Sequence, residues 1–434
     1  MTASHDAALQ SPAASAERPP WGWRSIAIFL IKGFAVATLL IGIKLGLEQT
    51  PLGRWAELQT RALLLQALPG LRETGPDAIV VDISHIAGGE RDPVTGRLKV
   101  TSREDLKLLI RRLSDLGALA IGVDIDFSTE GGDWLSPSDP AFFDFCLETN
   151  QKTPVRLGVW RSLVDPEGHW LELPRYQQLA AALFVTDSAT GHVPISVGLK
   201  GAQARLPTLG AALAAATGQL PMDPYGLLKS SRSRLQRFVF DETVTRELQL
   251  RPSSVTLQTH EAPVNFSVLQ QIAREYIPRA TPDDLLKYAS RLQGRIVLLG
   301  AAEKTTDLFV VPGNPRNKPG VFLHAAQAHT FTTEPVYEFS HAFRLVLDLV
   351  VSAVLLLTVV AFRRWSRNDV TAAHRLERRV LLGLCLTIAL GAIALMVWCR
   401  VFWLDFILVA LFLILHGPTE HALMPKESAD APSH

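Results

Sequence analysis

Four long apolar runs stand out from an otherwise mixed chain. They are Ser25–Leu47, Phe343–Phe362, Val380–Cys399 and Val401–His416. About 20 consecutive apolar residues are needed for a helix to cross the hydrocarbon of a bilayer, so the pattern predicts four membrane spans. Lys32 and Lys44 lie near the ends of the first run, where a long side chain reaches the headgroups. The fourth run is the shortest and carries Asp405 close to its start.

Between the first and second runs the pattern changes to that of a folded domain, residues 48–342. DAIVVDI (Asp77–Ile83) and ALAIGVDIDF (Ala118–Phe127) read as buried strands. The helix between them, TSREDLKLLIRRLSDLG, carries Leu106, Leu109, Ile110 and Leu113 on one stripe. Thr101 and Glu104 have capping-box spacing at its start, and Gly117 stands where a C-terminal cap belongs. VRLGVW (Val155–Trp160) predicts a third strand and LGAALAAATG (Leu209–Gly218) a short helix. The signal from Leu220 to Pro263 is mixed. TPDDLLKYASRL (Thr281–Leu292) predicts a helix, GRIVLLGAA (Gly294–Ala302) a strand, and PGVFLHAAQAHTF (Pro319–Phe331) a further helix. Continuous apolar strands joined by helices imply a parallel sheet. The expected fold class is therefore an α/β domain with a mostly parallel sheet, anchored by one N-terminal and three C-terminal transmembrane helices.

Charge sets the expected orientation. Lys and Arg number 43 and Asp and Glu 42, a net charge of +1, which gives no general attraction to nucleic acid. The basic character is local: RRWSRNDVTAAHRLERR, Arg363–Arg379, separates the second and third runs. Short Lys/Arg-rich loops stay in the cytoplasm. That places 363–379 inside, the domain outside and both termini inside, with an Ala-, Ser- and Pro-rich leader at 1–24 and a tail at 417–434. The first run is too long for the apolar core of a signal peptide and has no small-residue cleavage site after it, so it reads as an uncleaved anchor. Cys146 is the one cysteine of the domain, since Cys385 and Cys399 fall in a span. A bacterial inner membrane with the main domain in the periplasm fits this usage, whereas a disulfide-stapled secreted scaffold does not.

The order of an N-terminal anchor, VVDI, a helix, GVDIDF, then GRIVLLGAAEKTTDLF and PGVFLHAAQAHT, followed by further spans, resembles the CHASE type-2 family of cyclase/histidine-kinase-associated sensory extracellular domains. The resemblance extends over about residues 25–416. It implies a periplasmic input module of a bacterial membrane receptor. One departure is the stretch GGERDPVTGRLKVTSRED, where the family has a turn rich in Trp and Pro leading to an arginine; here Arg103 remains before the helix. Such receptors continue into an output domain, and HGPTEHALMPKESADAPSH is too short and polar for one. The expected function is thus a membrane-anchored sensory or adaptor module acting through a separate output protein, with no catalysis of its own. The alternative is a structural or assembly subunit of an envelope complex that docks a partner through the same domain.

Candidate chemistry is sparse. Asp82, Asp124 and Asp126 stand at the carboxyl ends of strands expected to be adjacent, where open parallel sheets bind ligands. Asp124 and Asp126 share a face by strand alternation. Converging carboxylates would take a cation, a basic ligand or a sugar hydroxyl, or would cap their own loops by accepting backbone N–H groups. Gly300 and Asp307 belong to the rim of the same cleft. GAAEKTTD lacks the second glycine of a phosphate loop. His324 and His329 are five apart on their helix, too far around the axis to share a metal easily, and His324 reads as a core residue. No nucleophile, metal or cofactor spacing occurs, so catalytic residues, metals and cofactors are expected to be none. Arg344 and Arg400 are close in sequence to Asp348 and Asp405, and interfacial pairing is the expected use of those carboxylates. The expected partners are the bilayer, an output protein or envelope subunit, and a second copy in a homodimer; nucleic acid is not among them.

Overall fold

The computed structural model describes residues 23–48, 50, 77–86, 88, 100–128, 134–160, 173–185, 191–200, 205–218, 238–240, 244–249, 256–303, 307–311, 317–333, 336–365 and 370–403. These fall into two compact units. One is drawn from the described residues within 23–43 and 347–388, the other from those within 44–346 and 389–403.

In chain order the elements are α1 (Trp23–Glu48), β1 (Ala78–Asp82), α2 (Arg103–Asp115), β2 (Ala120–Asp124), α3 (Asp139–Asn150), β3 (Val155–Val159), α4 (Pro174–Gln177) and β4 (Ala180–Ala182). Then come β5 (His192–Leu199), β6 (Leu206–Pro207), α5 (Leu209–Thr217), β7 (Val244–Gln249), β8 (Thr256–Pro263), α6 (Leu269–Glu275) and α7 (Ala289–Leu292). The last are β9 (Ile296–Gly300), β10 (Leu308–Phe309), β11 (Lys318–Pro319), α8 (Gly320–Thr332), β12 (Tyr337–Glu338), α9 (His341–Trp365), α10 (Val370–Ala394) and β13 (Val401–Phe402).

The larger unit is built on a five-stranded sheet of order β1-β9-β2-β3-β4, parallel at every pairing. One face carries Ile79, Val81, Val123, Val297 and Leu299 into a core shared with Leu106, Leu109, Ile110 and Leu113 of α2 and Phe142, Phe143 and Cys146 of α3. Alternation turns Val80, Gly122, Leu298 and Gly300 to the opposite face, towards α5 and α8. There a Cβ on Gly122 would lie 2.6 Å from Leu213 Cδ1. The end of the amphipathic stripe is closed by Gly117, at φ +80°, as its position implies. The cap at the start of α2 is one residue later than expected: Ser102 Oγ accepts the Asp105 amide at 3.3 Å.

Helix α8 is buried along its whole length. Its polar side chains are therefore tied to neighbouring segments. Gln327 donates to the Pro194 carbonyl at 2.7 Å, Thr330 Oγ1 accepts the Asn265 amide at 3.1 Å, and His329 Nδ1 accepts the Asp77 amide at 3.1 Å. Gly210 lets α5 press against it, because a Cβ there would lie 2.5 Å from the His324 carbonyl oxygen.

Several expectations change. A four-stranded antiparallel sheet, β6-β5-β8-β7, takes two of its strands, β7 and β8, from the stretch of mixed pattern and the other two from the residues before it. The segment Thr281–Leu292 is not one α-helix but a 3₁₀ stretch, Asp284–Tyr288, followed by the single turn α7. Strands β1 and β2 are not neighbours, since β9 is inserted between them.

In the smaller unit Leu355, Leu356, Val359 and Leu381 form a core with Leu30, Leu384 and Ile388 against it. A Cβ on Gly33 would lie 2.5 Å from Leu356 Cδ2, so α1 and α9 meet at that glycine. Among the described residues, three stretches are long and apolar enough to cross a membrane: Ile26–Leu47, His341–Ala361 and Arg379–Cys399. The basic segment 363–379 is mostly helix, because α9 continues to Trp365 and α10 begins at Val370. The fourth expected span does not begin as a helix: Arg400 turns the chain at φ +54°, and Val401–Phe402 pairs with β12. Residues 404–416, with Asp405, lie outside the described residues, as do the leader and the tail. Asp348 is buried in α9.

Candidate functional site

Asp82, Gly300 and Asp124 are the last residues of β1, β9 and β2, and the register places Gly300 opposite both aspartates. The three form one row at the carboxyl end of the sheet. After β1 and β2 the chain passes to α2 and α3 on one face, and after β9 to α8 on the other. Such reversals open the crevice in which parallel sheets hold ligands.

Gly300 is required by close approach. A Cβ there would lie 2.6 Å from Val321 Cγ2 and 3.0 Å from Asp124 Cβ. Its absence brings the first turn of α8 against the row. Asp307 reaches the same turn: a Cβ on Gly320 would lie 2.8 Å from Asp307 Oδ2. A carboxylate is favoured at that position by the partial positive charge of a helix N-terminus.

The Asp82 side chain is fully buried. Its Oδ1 accepts the Ser84 amide at 3.1 Å, the Ser84 hydroxyl, and the Ala302 amide at 2.9 Å. Its Oδ2 is buried and has no hydrogen-bond partner among the described residues. An oxygen in that state is able to accept from a cation or a hydroxyl presented by a ligand. Just outside, Arg279 pairs with Glu303 at 2.7 Å, and the Glu303 amide points at Ser84 Oγ from 3.4 Å. The neighbouring Glu303 carboxylate, and more weakly Asp82, holds the Arg279 guanidinium above its usual range. Arg279 has φ +42°, a left-handed backbone that a non-glycine residue seldom adopts.

Asp126 is separate from the row. Strand β2 ends at Asp124, so alternation does not carry on to Asp126. Its Oδ1 accepts the Ser128 amide at 3.0 Å, the Ser128 hydroxyl at 2.5 Å and the Trp160 amide at 2.9 Å. It ties the loop after β2 to the end of β3, as Asp82 ties the loop after β1 to the end of β9. The repeat is readable in the sequence as Asp82-Ile83-Ser84 and Asp126-Phe127-Ser128, an Asp whose carboxylate turns back on a residue two positions later. Ser84, Ser128, Ala302 and the Arg279–Glu303 pair were not singled out from sequence; the doubled D-x-S was the signal available.

Arg103 is buried, with its Nε 2.5 Å from Asp139 Oδ1 and its guanidinium 4.5 Å from the centre of the Phe127 ring. It fastens α2 to α3 and takes no part in the row. His324 is buried in α8 beside Gln327, and burial pushes its pKa down to about 4. No group of three or more His, Cys, Asp or Glu side chains arranged to hold a metal occurs among the described residues.

The family model described as the CHASE2 domain matches residues 36–361. No curated protein and no solved structure matches the chain. The matched segment includes the whole carboxyl-end row, the helix that covers it, the second half of α1 and most of α9. The chain belongs to the CHASE2 family of sensory extracellular domains.

Proposed function

We propose that this chain is a membrane-anchored sensory module of a bacterial inner membrane that acts on a separate partner protein rather than by catalysis. The observation that carries this reading is the CHASE2 match over residues 36–361 in a chain whose described residues hold three helices long and apolar enough to span a bilayer. The basic segment 363–379 supports a cytoplasmic position for the turn between α9 and α10, and hence a periplasmic one for the sheet domain. Asp82, Gly300 and Asp124, with Asp307 beside them, are the proposed ligand-contacting residues. They lie where parallel sheets bind small molecules, and Asp82 keeps one buried oxygen uncommitted.

A second reading, an assembly subunit of the envelope, draws on a different observation. Asp126 and Oδ1 of Asp82 each accept three hydrogen bonds that close loops. Carboxylates used in this way need no ligand.

Purification of the tagged full-length protein from its native membrane, with mass spectrometry of what accompanies it, separates the two. A kinase, cyclase or other regulator in stoichiometric amount supports the sensory reading. A set of envelope proteins with no regulator among them would replace it with the assembly reading.

A further inference from the structure

The segment leading into α9 is gripped from three directions within the larger unit. On one side β12 pairs in parallel with β13, Tyr337 with Val401 and Glu338 with Phe402, and the Tyr337 amide donates to the Arg400 carbonyl at 2.9 Å. On another, Phe339 bridges to Phe240, the Ser340 amide donates to the Val239 carbonyl at 2.9 Å, and the Phe339 and Phe343 rings meet at 4.9 Å. From the third, His192 at the start of β5 reaches Glu338, with Nε2 and Oε2 3.1 Å apart and the two side chains only 15% and 9% exposed. Helix α9 begins three residues after Glu338, and β13 begins two residues after Cys399, where the membrane-length stretch Arg379–Cys399 ends. One two-residue strand therefore holds the approach to one membrane helix and the exit from another.

We propose that the His192–Glu338 pair is a proton-operated latch on this joint, so that the pH outside the membrane sets how firmly the sheet domain grips the ends of the two helices. Imidazole is the one side chain whose ordinary pKa places its charge change between about pH 5 and 8. When protonated, His192 gives Glu338 a charge-assisted hydrogen bond, roughly twice as strong as a neutral one. When neutral, the same nitrogen donates weakly or, in the other tautomer, faces a carboxylate with a lone pair. The latch is tight in acid and slack in alkali. Other charged or titratable groups on the elements around the pair are His260 and Glu261 on β8, Arg400 before β13, and His341 and Arg344 in the first turn of α9. The purpose of the latch rests on the sensory reading above, but its operation does not depend on the identity of a partner.

The test uses the full-length protein in nanodiscs of phosphatidylethanolamine and phosphatidylglycerol. Cys146, Cys385 and Cys399 are replaced by alanine, and spin labels are placed at K200C and W398C, both exposed and both in the larger unit. Pulsed dipolar spectroscopy at pH 5.5 and pH 8 reads the distance distribution between them. The expected result is one narrow population at pH 5.5 and a second, separate population at pH 8, reversible on re-acidification. His192→Gln is expected to show both populations at both pH values, and His192→Lys, which keeps a positive charge throughout, a single narrow one at both. Identical distributions for the parent at the two pH values would overturn the latch. So would persistence of the pH response in His192→Gln, or a pH response retained by His192→Lys. None of these results bears on the co-purification experiment, so the sensory reading and the latch stand or fall separately.

Discussion

Oδ1 of Asp82 accepts the backbone amide of Ala302 at 2.9 Å across 220 residues of sequence. This contact closes the loops after β1 and β9 against one another and fixes one end of the candidate site. It leaves the second carboxylate oxygen of Asp82 buried, with no hydrogen-bond partner among the described residues.

Asp82→Ala removes the acceptor for the Ser84 and Ala302 amides and leaves both facing a gap. A loss of about 2–4 kcal/mol in unfolding free energy is expected. Asp82→Asn, which keeps an oxygen acceptor, is expected to lose about 1 kcal/mol. Denaturant titration of the detergent-solubilised protein measures both. A change below about 0.5 kcal/mol for Asp82→Ala would show that the loop contacts contribute little and that Asp82 has a ligand-facing role alone.

Asp124→Ala is expected to abolish partner engagement or response while changing stability by less than about 1 kcal/mol. The readout is the yield of the co-purified partner per folded molecule, beside the unfolding midpoint. Unchanged yield with a loss of several kcal/mol would mark Asp124 as structural.

Gly300→Ala places a methyl group 2.6 Å from Val321 Cγ2. Overpacking of this kind costs about 1–3 kcal/mol. Val321→Ala in the same chain is expected to return more than half of the loss, because the methyl groups it removes are those in conflict. Equal losses in the single and double variants would show that the strain lies on the Asp124 side, where the added Cβ would sit 3.0 Å from Asp124 Cβ.

Arg103 and Asp139 form a buried pair, so removing one partner leaves an uncompensated charge. Arg103→Met or Asp139→Ala is expected to lower stability by about 3–5 kcal/mol, and the double variant Arg103→Met/Asp139→Leu by less than either. A double-mutant cycle on unfolding free energy tests this; additive losses would rule out coupling.

His324 is neutral in the folded protein down to about pH 4, whereas in the unfolded chain it titrates near its ordinary 6.5. Below pH 6.5 the unfolded state therefore binds the extra proton. The stability it contributes is fully present above pH 6.5 and declines as the pH falls towards 4, by a total on the order of 3 kcal/mol. Stability curves of the parent and of His324→Gln between pH 4 and pH 7 are expected to converge at acid pH. Parallel curves would show that the imidazole is protonated inside the fold.

The parallel-sheet class, strands β1, β2, β3 and β9, helices α2, α5 and α8, and the membrane-length stretches were legible because each rests on local periodicity. An apolar run or a 3.6-residue stripe is a property of a few neighbouring residues. The antiparallel sheet was not legible, since β6 has two residues, β5 carries Pro194, Ser196 and Gly198 among its apolar positions, and β8 mixes Thr, Gln, His and Glu with its own. For the candidate site, the aspartates could be named from their place after apolar strands, but their uses could not. Asp126 serves Trp160, and Asp82 serves Ala302. Neither partner is marked by its residue type, because the contacting group is a backbone amide.

By itself the sequence determined the composition of the domain, the apolar stretches, the strands and helices of the parallel layer, and the family. The tertiary structure decided strand order and site geometry. Backbone hydrogen-bonding groups are the same at every residue, so nothing local tells β9 to enter between β1 and β2. Only the simultaneous covering of both sheet faces, by α2 and α3 on one and by α5 and α8 on the other, makes that order the one that buries all the apolar strands. That insertion carries Gly300 to its place between Asp82 and Asp124.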